Sequence, residues 1–182
     1  MRPVKALLHT CCAPCFLHPN RALEELGYDV TGYFYNPNIH PYREFKKRVG
    51  AVRQLVEDQD MDIVMEKDYG LDQYMERVYP VIKKGWPRCL ECYRLRLERT
   101  AQYAKEHGFD VFTTTLLVSP YQEQHIIEKA GLDAARKHDV VYLHQDFSQG
   151  YGQAHGEAKE MGLYTQGYCG CVWSEWERYR KK

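Results

Sequence analysis

Short apolar, β-branched runs return along this chain, each followed by a stretch of helical spacing. That alternation limits the fold more than any other feature. Val4–His9 reads as a first strand, Val30–Tyr35 as a second, Asp62–Val64 as a third, and Val111–Thr115 and Val140–Leu143 as the last two. Between them Phe45, Val49, Val52 and Val56 keep helical spacing behind Pro41, a residue suited to a first turn. Leu90, Tyr93, Leu97, Ala101 and Ala104 form a second stripe, and Ile126, Ile127, Ala130 and Ala134 a third. Val172, Trp176 and Tyr179 suggest a terminal helix, and Gly27, Gly108 and Gly162 stand where helices can end. Strands alternating with helices predict an α/β layered fold around a mostly parallel sheet of about five strands. No repeat, low-complexity tract or linker interrupts the 182 residues, so a single domain, 1–182, is expected. Gln145 to Tyr168, rich in glycine and polar residues, reads as the most mobile stretch.

Seven cysteines fall into three groups, Cys11–Cys12–Cys15, Cys89–x–x–Cys92 and Cys169–Gly170–Cys171. A disulfide framework scatters its thiols, whereas a metal or redox centre gathers them in short loops. The amino terminus has no signal-peptide pattern, and no run approaches the roughly 18 apolar residues of a membrane span. A cytoplasmic protein with no membrane partner is expected, in a compartment where grouped cysteines bind metals or do redox work. Formal neutrality, with 25 basic and 25 acidic residues, argues mildly against a general nucleic-acid binder and leaves room for a local patch.

The sheet reading places these groups. Cys11 and Cys12 follow the first strand, and ligands of an open parallel sheet sit outside the carboxyl ends of its strands. The segments after strands two, four and five, including Asn36–His40, Leu116–Tyr121 and Gln145–Phe147, share that edge. Cys89 and Cys92, at i and i+3, put both thiols on one helix face behind Pro87, and a helix amino terminus favours thiolate. With Cys11 and Cys12 they supply the four thiolates of a [4Fe–4S] cluster, although four thiolates also satisfy zinc. Adjacent donors strain one tetrahedral ion more than a cluster, which favours iron–sulfur. Cys15 is a spare ligand, a redox thiol or a packing residue. Cys169 and Cys171 can form a strained, reducible C-x-C disulfide, with Gly170 giving the backbone freedom, or hold a second iron. Three other functions stay open on these residues alone: a zinc-stabilised nucleic-acid-binding module, a thiol–disulfide oxidoreductase, and a sulfurtransferase.

The series His9-Thr10-Cys11-Cys12-Ala13-Pro14-Cys15, Tyr35-Asn36-Pro37-Asn38-Ile39-His40-Pro41, Cys89-Leu90-Glu91-Cys92-Tyr93-Arg94-Leu95-Arg96, Thr114-Thr115-Leu116-Leu117-Val118-Ser119-Pro120-Tyr121 and Tyr168-Cys169-Gly170-Cys171 resembles the QueH family of epoxyqueuosine reductases. The resemblance implies a Rossmann-like three-layer fold related to the adenine nucleotide α-hydrolase (HUP) domains, with cysteines where those proteins carry a Gly-rich loop, so that ATP is not expected. It implies reduction of epoxyqueuosine to queuosine at the tRNA wobble position, by an iron–sulfur protein that needs no cobalamin. Cys11, Cys12, Cys89 and Cys92 match the cluster-ligand motifs. Cys169 and Cys171 match the paired cysteines taken as redox-active or as ligands of one additional iron. Cys15, where some members carry an acidic residue, is a further candidate for that iron. The expected partners are tRNA bearing epoxyqueuosine and an unidentified electron donor.

Removing the epoxide oxygen as water calls for an acid, and Asp146, His40 and Tyr168 are the candidates on the expected edge. Phosphate contacts are sought in Arg43, Lys46, Lys47 and Arg48, or in Arg178, Arg180, Lys181 and Lys182. Tyr35, Tyr42 and Tyr121 are candidates for stacking on a splayed base.

Overall fold

The structure is a computed structural model, and it describes residues 2–85 and 87–180. Five strands, β1 (Val4–His9), β2 (Tyr28–Phe34), β3 (Ile63–Met65), β4 (Val111–Thr114) and β5 (Val141–Tyr142), form one sheet in the order β3-β2-β1-β4-β5. Every pairing is parallel, with His9 opposite Tyr33 on one side and Thr114 on the other. The central strand is therefore covered on both faces, and Ala6, Leu7 and Leu8 are fully buried. Burying each leucine contributes about 1.5–3 kcal/mol, which explains why this run is continuous rather than alternating.

The helices are α1 (Ala13–Glu25), α2 (Tyr42–Gln59), α3 (Leu71–Lys83), α4 (Arg88–Glu106), α5 (Gln124–His138), α6 (Tyr151–Glu160) and α7 (Val172–Tyr179). α1 packs with α2 and α6, whereas α4 packs with α3 and α5, giving a helical layer on each side of the sheet. The chain runs outward from β1 through β2 to β3, then returns to place β4 on the other flank of β1. The strand order reverses between β1 and β4, and the crevice at such a point is where a doubly wound sheet receives its ligand. Among the described residues no helix is long and apolar enough to cross a membrane.

Two helices depart from the sequence expectation. α6 occupies part of the stretch expected to be mobile. Its Ala154 and Ala158, one turn apart, are buried, and Glu157 pairs with Arg21 of α1 at 2.6 Å. The close approach is made at Gly150, where a Cβ would lie 2.0 Å from the His18 ring. α3 buries only Tyr74 and Val78, and its Pro80 conceals a helical pattern that the two residues set by i, i+4 spacing.

Candidate sulfur-lined metal site

Cys11 and Cys12 leave β1 at the switch point. Cys12 is the extended residue preceding α1, and Pro14 in the first turn sets the backbone for the helix that carries Cys15. The turn points all three thiols at one spot. The Cys11 and Cys12 sulfurs are 3.8 Å apart, and the Sγ atoms of Cys11, Cys12 and Cys15 all lie within 4.8 Å of one another. Cys11 is held from the turn that follows β4: its amide donates to Thr115 Oγ1 at 3.0 Å, and that hydroxyl donates to Cys11 Sγ at 3.2 Å. Gln166 Nε2 donates to Cys12 Sγ at 2.9 Å. The Cys11 pKa falls well below the usual thiol range because Cys12, Cys15 and Thr115 donate to its sulfur. Burial pushes Cys12 upward, and donation to its neighbours pushes Cys15 upward. One thiolate stabilised by two thiols is a set that a thiophilic metal completes by displacing the remaining protons.

Cys89 and Cys92 occupy the first turn of α4, behind Pro87 at its start. The helix terminus does not make them acidic here. Burial dominates and raises Cys89 to about 11 and Cys92 to about 12. Cys92 shares a buried apolar cluster with Cys171, Tyr74 and Val78. Cys169 reaches the same helix through Gln122, whose Nε2 donates to its sulfur at 3.5 Å and whose Oε1 accepts from the Tyr93 hydroxyl at 2.7 Å. Cys171 lies at the start of α7. Burial opposes its ionisation, but donation from the Ser174 hydroxyl and amide outweighs this and lowers its pKa. A cavity of about 500 Å³ links the first and third groups, lined by Cys11, Cys15, Arg96, Gln166 and Cys169, with Tyr121 and Arg178 at its wall; Cys89 and Cys92 do not line it and stand outside the three-thiol cluster.

The Cys169–Cys171 segment is clamped from α2. Arg48, only 2% exposed, donates to Glu44 Oε1 at 2.8 Å, to the Cys169 carbonyl at 2.8 Å and to the Tyr168 carbonyl at 2.9 Å. It is thus a buried clamp and does not belong to an exposed phosphate-binding patch. Gly170 has φ +148°, and a Cβ there would meet Asn38 Nδ2 at 3.0 Å and Arg48 Nη1 at 3.4 Å. Arg43, Lys46 and Lys47 are exposed on α2, Arg178 on α7 and Arg180 just past its end. Lys181 and Lys182 lie outside the described residues.

The three candidate acids have different surroundings. Asp146 is exposed, does not line the cavity, and accepts from the Ser148 amide at 2.8 Å, which is a turn-forming contact. Tyr168 lines the cavity and donates its hydroxyl to the His40 carbonyl at 2.5 Å. His40 is buried between Tyr69 and Tyr74, and neither ring nitrogen has a hydrogen-bond partner among the described residues. Burial lowers its pKa from 6.5 to about 4, so it is neutral at pH 7 and holds no imidazolium proton to give. A lowered folded-state value means that the unfolded chain takes up the proton first as pH falls. His40 therefore costs stability as pH drops from 6.5 toward 4, at up to about 1.4 kcal/mol per pH unit. In His40→Phe, urea unfolding midpoints between pH 7 and pH 4 should fall less steeply than in the parent, and identical slopes would contradict this.

Sequence reasoning passed over Arg96, Arg48, Gln122 and Gln166 as sulfur-centre residues. Arg96 was legible, since it stands at i+4 from Cys92 on the same face of α4. The two glutamines come from loops and carry no local signal. Of the stacking candidates, Tyr35 is 7% exposed and packed in the core, whereas Tyr42 is exposed and Tyr121 is 79% exposed.

A doubly wound parallel sheet with a thiol-rich crevice at its switch point defines an α/β protein whose site suits a thiophilic metal. A sequence profile described as Epoxyqueuosine reductase QueH matches residues 6–177. Proteins named Epoxyqueuosine reductase QueH from Dehalococcoides mccartyi and Thermotoga maritima are 35% and 36% identical to this chain. The first match covers 97% of this chain and 96% of its relative, and the second 96% and 92%. A third, from Histophilus somni, is 37% identical over 93% of this chain and 72% of its own. The chain belongs to the QueH family. The fold is also similar to a crystal structure described as a predicted subunit of tRNA methyltransferase from Methanocaldococcus jannaschii. That match has a TM-score of 0.52 at 11% identity, over 86% of this chain and 75% of the other.

Proposed function

We propose that this chain is an epoxyqueuosine reductase, an oxidoreductase that converts epoxyqueuosine to queuosine in tRNA. The observation that carries the reading is the convergence of Cys11, Cys12 and Cys15 to within 4.8 Å at the sheet's switch point, opening on a cavity that Cys169 also lines. The donor set is sulfur throughout and largely buried, which suits iron–sulfur ligation. In this proposal Cys11, Cys12, Cys89 and Cys92 hold a [4Fe–4S] cluster, and Cys15, Cys169 and Cys171 are available to one additional iron. Bound there, such a centre supplies electrons and a Lewis-acidic site for oxygen.

The reaction consumes two electrons and two protons, releases the epoxide oxygen as water, and leaves an alkene. In the alternative role, free of iron, Cys169 and Cys171 supply both pairs by closing to a disulfide, which the external reductant then reopens. Gln122 and Arg48 fix the Cys169 backbone and sulfur while the pair works. Of the three candidate acids Tyr168 alone lines the cavity, but its hydroxyl is committed to the His40 carbonyl and burial raises its pKa, so the thiols are the proton source. A cavity of about 500 Å³ is of the size that accepts one splayed nucleoside. Tyr121 and Arg178 at its wall offer a stacking face and a phosphate contact to an anticodon loop. A tRNA substrate supports a cytoplasmic location in this proposal.

A thiol–disulfide exchanger built on Cys89 and Cys92 would need an accessible thiolate there, and burial raises both pKa values instead; one built on Cys169 and Cys171 would show dithiol exchange in metal-free protein. The test is incubation of anaerobically iron-loaded protein with tRNA containing epoxyqueuosine and dithionite, without cobalamin, followed by nucleoside mass spectrometry. Queuosine is the expected product. Unchanged epoxyqueuosine with fully loaded protein, or a chain that takes up zinc and no iron, would overturn the reading.

A further inference from the structure

The guanidinium of Arg96 is one of the most deeply buried charges in the molecule. The residue is 1% exposed and lies on the inner face of α4. A guanidinium does not shed its proton in a protein, so burial requires a counter-charge. Arg48 shows how this chain ordinarily meets that need, with Glu44 at 2.8 Å. Arg96 makes no ion pair with any carboxylate among the described residues. Its Nη2 donates to Cys92 Sγ at 3.3 Å, its Nε to the Cys92 carbonyl at 3.2 Å, and its plane lies 5.6 Å from the Tyr93 ring centroid. The ionisable groups that face it are Cys92, Cys169, Tyr93 and Cys11, drawn from all three cysteine groups, and none is a carboxylate. Its neighbour His9 is bonded through Nδ1 to Thr114 Oγ1 and through Nε2 to the Tyr35 carbonyl, and is held neutral by burial and by Arg96 itself.

We propose that Arg96 is the fixed counter-cation of the sulfur centre: its charge is balanced by the thiolates gathered around it, and it biases that centre toward the reduced state. This rests on the reading that the cysteines hold a metal centre. Each electron that enters such a centre without a proton adds one negative charge in a medium of low dielectric, and a cation beside a ligand sulfur lowers that cost. In the metal-free chain the same cation faces mostly protonated thiols and is uncompensated. Arg96 thereby couples folding to loading as well. It is a positioning residue, acting through Cys92 and the centre rather than on the substrate.

Arg96→Met, which keeps the aliphatic stem and the packing on Tyr93 without the charge, separates these roles, with Arg96→Lys as the charge-retaining control. Iron and sulfide content, the midpoint potential of the loaded protein in an anaerobic dithionite titration, and the melting temperatures of loaded and metal-free protein are measured for each. In Arg96→Met the potential should move to more negative values. The gap between loaded and metal-free melting temperatures should narrow by at least about 5 °C, with the metal-free variant no less stable than the metal-free parent. Arg96→Lys should recover most of the potential. An unchanged or more positive potential in a loaded Arg96→Met protein overturns the proposal. If that variant fails to load, a metal-free form less stable than the parent overturns it equally, since Arg96 would then be an ordinary structural donor. Absence of iron from the parent protein would instead sink the underlying metal-centre reading, and so the two failures are distinguishable.

Discussion

Replacing Cys12 by alanine should abolish the iron chromophore and lower turnover by more than about 100-fold, while leaving the metal-free fold intact. Residues that merely orient a metal ligand already cost about 10–100-fold when removed, and a direct ligand costs more. Cys12 is 1% exposed and shares the three-thiol cluster that Gln166 braces at 2.9 Å. Its side chain makes no hydrogen bond to the amino terminus of α1, so alanine leaves the start of that helix intact. What is lost is one sulfur atom facing a metal. Iron and sulfide counting, a visible spectrum and circular dichroism on the same preparation check all three parts of the expectation. A brown, active Cys12→Ala protein would show that the Cys11–Cys12–Cys15 turn packs thiols without using them.

Arg48→Ala should be the most destabilising charge deletion in the molecule, costing about 3–5 kcal/mol. For a chain of this size that corresponds to a fall of roughly 10 °C in melting temperature. The side chain joins buried Glu44 on α2 to the carbonyls of Tyr168 and Cys169, so its loss strands a carboxylate and two backbone acceptors. Glu44 keeps the Tyr164 hydroxyl at 2.6 Å, which offsets part of the cost. The segment released is the one that carries Cys169 and Cys171. Faster alkylation of Cys169 in the metal-free protein should therefore accompany the thermal loss. A variant within 1 kcal/mol of the parent would mean that the clamp is held elsewhere.

The parts of this fold that were legible in the sequence share one property, burial that leaves a periodic trace. β1 and β4 are covered on both faces, so runs of consecutive buried residues replace alternation and their positions came out within a residue. β2 begins two residues earlier than its β-branched run suggests, because Tyr28 and Asp29 pair with Val4 and Lys5 where the sheet edge is still exposed. α6 escaped notice because Gly152, His155 and Gly156 interrupt an alanine face that only α1 makes meaningful. At the site, the grouping of cysteines was legible and so was their carboxyl-edge location, since a strand end and a helix start are local features. The alignment of Cys15 with Cys11 and Cys12 follows from the turn that Pro14 sets, which spacing alone left open among three roles. The Arg48 clamp was illegible in principle: its two acceptors are 120 and 121 residues distant along the chain. The expected acidity of Cys89 and Cys92 was misjudged for a physical reason, because the terminal dipole of α4 is weaker than the desolvation of the two thiols, Cys92 being packed among residues of α3 and α7.

X-ray absorption at the iron edge of the anaerobically prepared protein examines the shared sulfur centre most directly. The account predicts about four sulfur neighbours for each iron, together with iron–iron scattering from a cluster. A nitrogen- and oxygen-dominated shell, or isolated metal ions with no metal neighbour, would contradict it.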